Sequence, residues 1–134
     1  MTDMRLTNNT LTKVLSQYRY ENETWKRYLQ FIQQENNYLK TRLSQVLQHD
    51  FDVEFLDRAE YFQTKFLNGD ETVNLLRQEV HEVEKILQSG ASENAALLKE
   101  LQKKLKKLSR DMETVERQFN KLKTDFNEFI SKAA

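Results

Sequence analysis

Two histidines, a run of lysines and a surplus of aromatic rings are the residues here whose types and spacing suit chemistry. A metal or proton-transfer site would draw on His49, Glu79, His81 and Glu82. Di-iron bundles place ligands as Glu-x-x-His, which sets both on one helix face. Glu79, His81 and Glu82 do not make that spacing, and His49 lies in another segment. Nucleophilic catalysis needs a positioned base beside an oxyanion pocket, and no stretch of the chain suggests either. Cysteine is absent, which removes thiol catalysis, zinc–thiolate sites and disulfides together. The sequence therefore predicts no enzyme, no cofactor, no metal and no small-molecule substrate. Seams filled with leucine, valine and phenylalanine also predict no pocket.

Binding chemistry has two candidates. Lys103-Lys104-Leu105-Lys106-Lys107, followed by Arg110 and Arg117, makes a basic stripe suited to phosphates. Interleaved aromatics would strengthen that reading, but none are present, and Glu100 and Glu113 interrupt the stripe. A charge run on an outer helix face ordinarily serves solvation. Lys103, Lys106, Lys107, Arg110 and Arg117 are thus candidates for an alternative function, binding of nucleic acid or another anionic surface. The leading candidate is aromatic. Tyr28, Phe31 and Tyr38 adjoin the apolar stripe of the first helix without belonging to it, and Tyr61, Leu67 and Leu75 face outward from the second. Interface cores favour such side chains, and contiguous apolar surface on a soluble protein marks a partner. Tyr28, Phe31, Tyr38, Tyr61 and Leu75 are the interaction residues expected for a protein partner or a second copy of the chain.

What must position these residues is a set of long helices. Proline is absent, and Gly69 and Gly90 are the only glycines, so the residues that break helices are nearly missing. Apolar residues recur at alternating spacings of three and four in three blocks: Leu11 to Val46, Phe55 to Leu87 and Leu98 to Phe129. Only Asn22, Asn36 and Gly69 interrupt these seams. A 3.5-residue period held over several heptads is the signature of helices supercoiling on a shared seam. The prediction is an all-α fold, an antiparallel up-down-up three-helix coiled-coil bundle. It is a single unit over residues 10–134, with helices near 10–48, 52–88 and 93–131 and a flexible N-terminus over 1–9. The pattern resembles that of many unrelated helical bundles, spectrin-type repeats among them, in shape and periodicity and in no specific motif.

Phase slips locate the turns. At His49-Asp50-Phe51-Asp52, Asp52 suits the cap of the second helix, with Phe51 stapled to Leu56. At Ser89-Gly90-Ala91-Ser92, Gly90 suits the left-handed residue ending a helix and Ser92 the cap of the next. Asn68-Gly69-Asp70 reads locally as a stop and a new cap, which would give a four-helix bundle broken there. The heptad passes through Gly69 in register, however, so a continuous second helix is predicted. Asn36, at an a position, suits a register-fixing role or a water-bonded one; Asn22 is expected near a frayed start.

Lysine plus arginine equals aspartate plus glutamate at 21 each, so net charge draws the chain toward neither nucleic acid nor an anionic membrane. The balance is uneven along the chain: residues 1–49 and 93–134 are basic, and residues 50–92 acidic. An acidic middle helix between basic ones favours closure of the bundle on itself. No window approaches the roughly 18 apolar residues of a membrane span, and Met1-Thr2-Asp3-Met4-Arg5 lacks the apolar run of a secretory leader. No membrane contact and a cytoplasmic location are expected.

Overall fold

The computed structural model describes residues 8–49, 51–90 and 94–133. Three long helices account for nearly all of them: α1 (Asn8–Val46), α2 (Val53–Gln88) and α3 (Ala95–Ala133). Among the described residues there is no strand. Residues 1–7, most of the segment expected to be flexible, lie outside the described residues, and α1 begins at Asn8, two residues earlier than predicted.

Each helix starts and stops for a local reason. The Asp52 carboxylate accepts from the backbone N–H of Phe55 at 2.8 Å, capping α2 as predicted. The expected staple differs: the Phe51 ring stacks on Phe55, centroids 3.9 Å apart, while Leu56 stays exposed. Phe55 wins because it is itself stacked on Phe129 of α3, which draws both rings over the core. Gly90 adopts the predicted left-handed conformation, with φ of 85°. The cap of α3 is Asn94, whose side chain accepts from the N–H groups of Ala96 and Leu97. The expected cap, Ser92, lies outside the described residues, and Asn94 fits because it directly precedes the first helical residue.

Cross-helix pairs fix the up-down-up order. Lys26 meets Glu84 and Lys40 meets Asp70, so α1 and α2 run antiparallel. Lys104 meets Glu82 and Lys107 meets Glu79, so α2 and α3 do too. Lys123 meets Glu35 and Arg42 bonds Asn127, so α3 runs parallel to α1. The first four ion pairs join a basic outer helix to the acidic middle one. All three helix pairs touch, α1 and α3 least intimately.

The core is the predicted seam. Every seam residue is buried or half-buried, and among the described residues only Ile130 is buried off the seam. One end of the core is aromatic. Phe55, Phe62, Phe66, Phe126 and Phe129 form a continuous set of stacked and edge-on rings, with centroid distances from 4.7 to 6.4 Å. The other end is aliphatic, built around Leu15, Val83, Leu87, Leu101 and Leu105.

Both seam asparagines are buried and donate to backbone carbonyls of α2. Asn22 reaches Val80 at 3.1 Å, and Asn36 reaches Phe66 at 2.8 Å and the Asp70 carboxylate at 2.6 Å. Asn22 is therefore a core residue rather than part of a frayed start, because α1 is covered by α2 at that level. Its Oδ1 is buried and finds no hydrogen-bond partner among the described residues. An atom so placed costs about 1–3 kcal/mol.

The second helix runs through Gly69 without a break, so the four-helix alternative does not occur. A Cβ on Gly69 would lie 3.6 Å from Asn36 Nδ2, an ordinary contact. Packing does not require glycine here, and glycine inside a helix costs about 1 kcal/mol relative to alanine. Gly69→Ala is expected to stabilise the bundle by about 1 kcal/mol. A chemical-denaturation midpoint that fell instead would show that Asn36 needs the vacant space.

Candidate interaction surface

The five predicted interaction residues all lie at or near the surface, but on two different sides of α3. Tyr28 is half-buried and packs against the core, with its ring 6.1 Å from Phe31. Phe31 is 46% and Tyr38 57% exposed. Tyr28 lies on the side of α1 toward α3, near Glu116, and Phe31 and Tyr38 lie further round toward the outer face by their heptad position. Tyr61 and Leu75 are exposed on α2. Tyr61 borders the groove between α2 and α3, and Leu75 holds the same heptad position two heptads on. Leu67, also exposed, is turned toward α1 by its heptad position.

Sequence reasoning missed Tyr20, which is 64% exposed. It has no seam neighbour to draw attention to it. The available signal was spacing: from Tyr20 to Phe31 is about three helical turns and to Tyr38 five, so the three rings fall on one line along α1. The surroundings of that line are unusual. On the outward b, c and f positions of α1 from Ser16 to Gln45, only Glu23 and Arg27 are charged; the rest beside the rings are Ser, Thr, Asn and Gln. The same positions of α3 are mostly charged, as Lys99, Lys103, Lys106, Glu113 and Arg117 illustrate. Loss of charge together with aromatic enrichment is the composition of an interface core.

The five residues of the basic stripe, Lys103, Lys106, Lys107, Arg110 and Arg117, are all exposed on α3. Lys107 bonds Glu79 of α2 at 3.1 Å and Asp111 at 2.8 Å, so its charge is partly met within the bundle although the side chain stays exposed. Its position beside the acidic α2 is the reason. Lys103, Lys106, Arg110 and Arg117 remain exposed, with Lys99, and make no ion pair among the described residues.

The expectation of a pocket-free seam needs correction. A groove of about 310 Å³ opens between α2 and α3 beside Gly69, with Ile32 and Asn36 of α1 at its floor. A seam position without a side chain leaves that space unfilled. The charged groups at its rim include Lys121 and Asp125, which pair with each other at 2.9 Å. His49, in the connection after α1, and His81, on α2, are both exposed. Among the described residues no group of three or more His, Asp or Glu could hold a metal ion, and no helix is long and apolar enough to cross a membrane.

Burial and the nearby Glu116 carboxylate both push the Tyr28 phenol above the ordinary tyrosine value. Hydrogen bonds to Asp111 and Glu79 raise Lys107, and one to Asp125 raises Lys121. Each folded-state value exceeds the unfolded one. The stability each group contributes is therefore present below its unfolded pKa and lost as pH rises through the folded one. The bundle's melting temperature is expected to fall above about pH 10, and Tyr28→Phe to make that fall shallower. A melting temperature flat from pH 9 to 11, or a Tyr28→Phe profile matching the parent's, would contradict this.

Compared with protein-family models, curated proteins and solved structures, the chain matches none.

Proposed function

We propose that this chain is a non-enzymatic cytoplasmic contact module, an adaptor or structural bundle that holds a protein partner on the outer face of α1. The observation that carries the reading is the line of Tyr20, Phe31 and Tyr38, each exposed, on a face where only Glu23 and Arg27 are charged. Aromatic rings left in water on a face with so few charges gain most from being covered. The rest of the bundle supports such a role mechanically. Leu29, Ile32 and Leu39, directly beneath the face, are buried, so the rings stand on a packed helix and lose little further freedom on docking.

A photo-crosslinking amino acid in place of Tyr20 or Tyr38 is expected to give adducts in cells that make the protein. The same group in place of Gln78 on α2 or Thr124 on α3, both outward-facing, is expected to give none. Equal labelling from all four positions, or none from α1, would remove the reading.

A second reading is favoured by the exposed cations Lys99, Lys103, Lys106, Arg110 and Arg117 on α3. Clustered cations on one helix face attract polyanions in a salt-dependent way. In this reading the protein is retained on heparin, elutes earlier as salt rises, and loses retention when Lys103, Lys106 and Arg110 are replaced by glutamate. Flow-through of the parent protein at low salt would end it.

A further inference from the structure

We propose that the partner on the outer face of α1 is a second copy of this chain, its α1 packed antiparallel to the first about a two-fold axis level with Leu29. The proposal rests on the contact-module reading and names the partner that reading leaves open.

The face is complementary to itself in one register. Tyr20 lies as far before Leu29 as Tyr38 lies after it, and Arg27 as far before as Phe31 after. An antiparallel pair centred there sets Tyr20 against the partner's Tyr38 and Arg27 against the partner's Phe31. Symmetry makes each match twice. Arg27 is exposed and makes no ion pair among the described residues, so its guanidinium is available to lie over a ring. Cations over aromatic faces are favourable, most of all where water is excluded.

Charge selects this arrangement over its alternative. In a parallel pair Arg27 would face the partner's Arg27 at the centre of the contact, and like charges there are costly. This register sets Glu23 opposite the partner's Glu35, but Glu35 is neutralised by Lys123 at 2.6 Å and the exposed Glu23 lies at the α2 edge of the face, off the line of the rings. Thr24, Gln34 and Thr41, which complete the face, carry no charge to desolvate.

Size sets the strength. From Tyr20 to Tyr38 the line is about 27 Å long, on a helix about 10 Å wide. With its polar flanks the contact covers on the order of 1,000 Å² in total, the lower edge of specific interfaces. A contact of that size is expected to hold a weak, reversible dimer.

Sedimentation equilibrium of the full chain over about 1 to 200 μM tests this. The apparent mass is expected to rise reversibly from 16.1 kDa toward twice that value. Phe31→Lys, which sets an ammonium against the partner's Arg27, is expected to weaken association at least about tenfold. Adding Arg27→Glu to that variant is expected to restore it, because the introduced carboxylate then faces the introduced ammonium. Both positions are exposed, and circular dichroism melts check that the variants stay folded. A parent protein that is monomeric throughout overturns the proposal. So does a dimer indifferent to Phe31→Lys, or one weakened by it and not restored by Arg27→Glu. A strict monomer that still crosslinks from α1 to a chain of another mass overturns the second copy alone and leaves the contact module standing; a monomer with no adduct removes both.

Discussion

An isolated helix carrying one apolar stripe gains little by forming in water, because fixing the backbone costs about as much as its hydrogen bonds return. The stripe must be covered, and here three stripes cover one another. Each large apolar side chain taken from water contributes roughly 1.5–3 kcal/mol, which is what offsets the ordering of three such helices. The similar lengths of α1, α2 and α3 follow from this. A helix much longer than its neighbours would leave part of its seam exposed. The phenylalanine end, where Phe62 meets Phe66, Phe126 and Phe129, adds ring-edge contacts worth about 0.5–1.5 kcal/mol per pair beyond area alone.

Hydrophobic burial does not by itself choose a register, since leucine and valine layers tolerate sliding past one another. The polar layers do. Two heptads separate Asn22 from Asn36 on α1, and two heptads separate Val80 from Phe66, their acceptors on α2. A shift of one heptad would take Asn36 away from Asp70, which binds both Asn36 and Lys40. The buried Asn22 Oδ1 makes the Asn22 layer costly, and a buried asparagine at an a position can fix register at a cost in stability. Ion pairs along the flanks act in the same sense. They join the basic α1 and α3 to the acidic α2, and being largely exposed they contribute direction more than energy.

With the seams and flanks committed to the fold, the proposed contact function rests on the outward faces, and these are unlike one another. The outer face of α3 is dense with charge, as a surface meant to stay wet would be. That of α1 is nearly free of charge and carries three aligned rings. The contrast within one small bundle, rather than any single exposed aromatic, gives the contact-module reading its weight, since isolated exposed apolar residues are normal.

The three seams, the turn at Gly90 and the cap at Asp52 were legible in the sequence, because each is a local consequence of periodicity or of backbone preference at one residue. The passage of α2 through Gly69 was legible for the same reason, as register survives a helix and not a loop. Other features depended on distance through space. Asn22 read as peripheral because its partner lies 58 residues away. The pairing of Lys107 was hidden because Glu79 is on another helix, and the groove at Gly69 existed only once α2 and α3 stood side by side. Tyr28, Phe31, Tyr38, Tyr61 and Leu75 read as one set, and the bundle divided them between two sides of α3. The sequence by itself determined which residues leave water, because a seven-residue period fixes one face of each helix. Only the tertiary structure decided which outward faces adjoin, since neighbours across a bundle are set by helix direction and register, which long-range contacts choose.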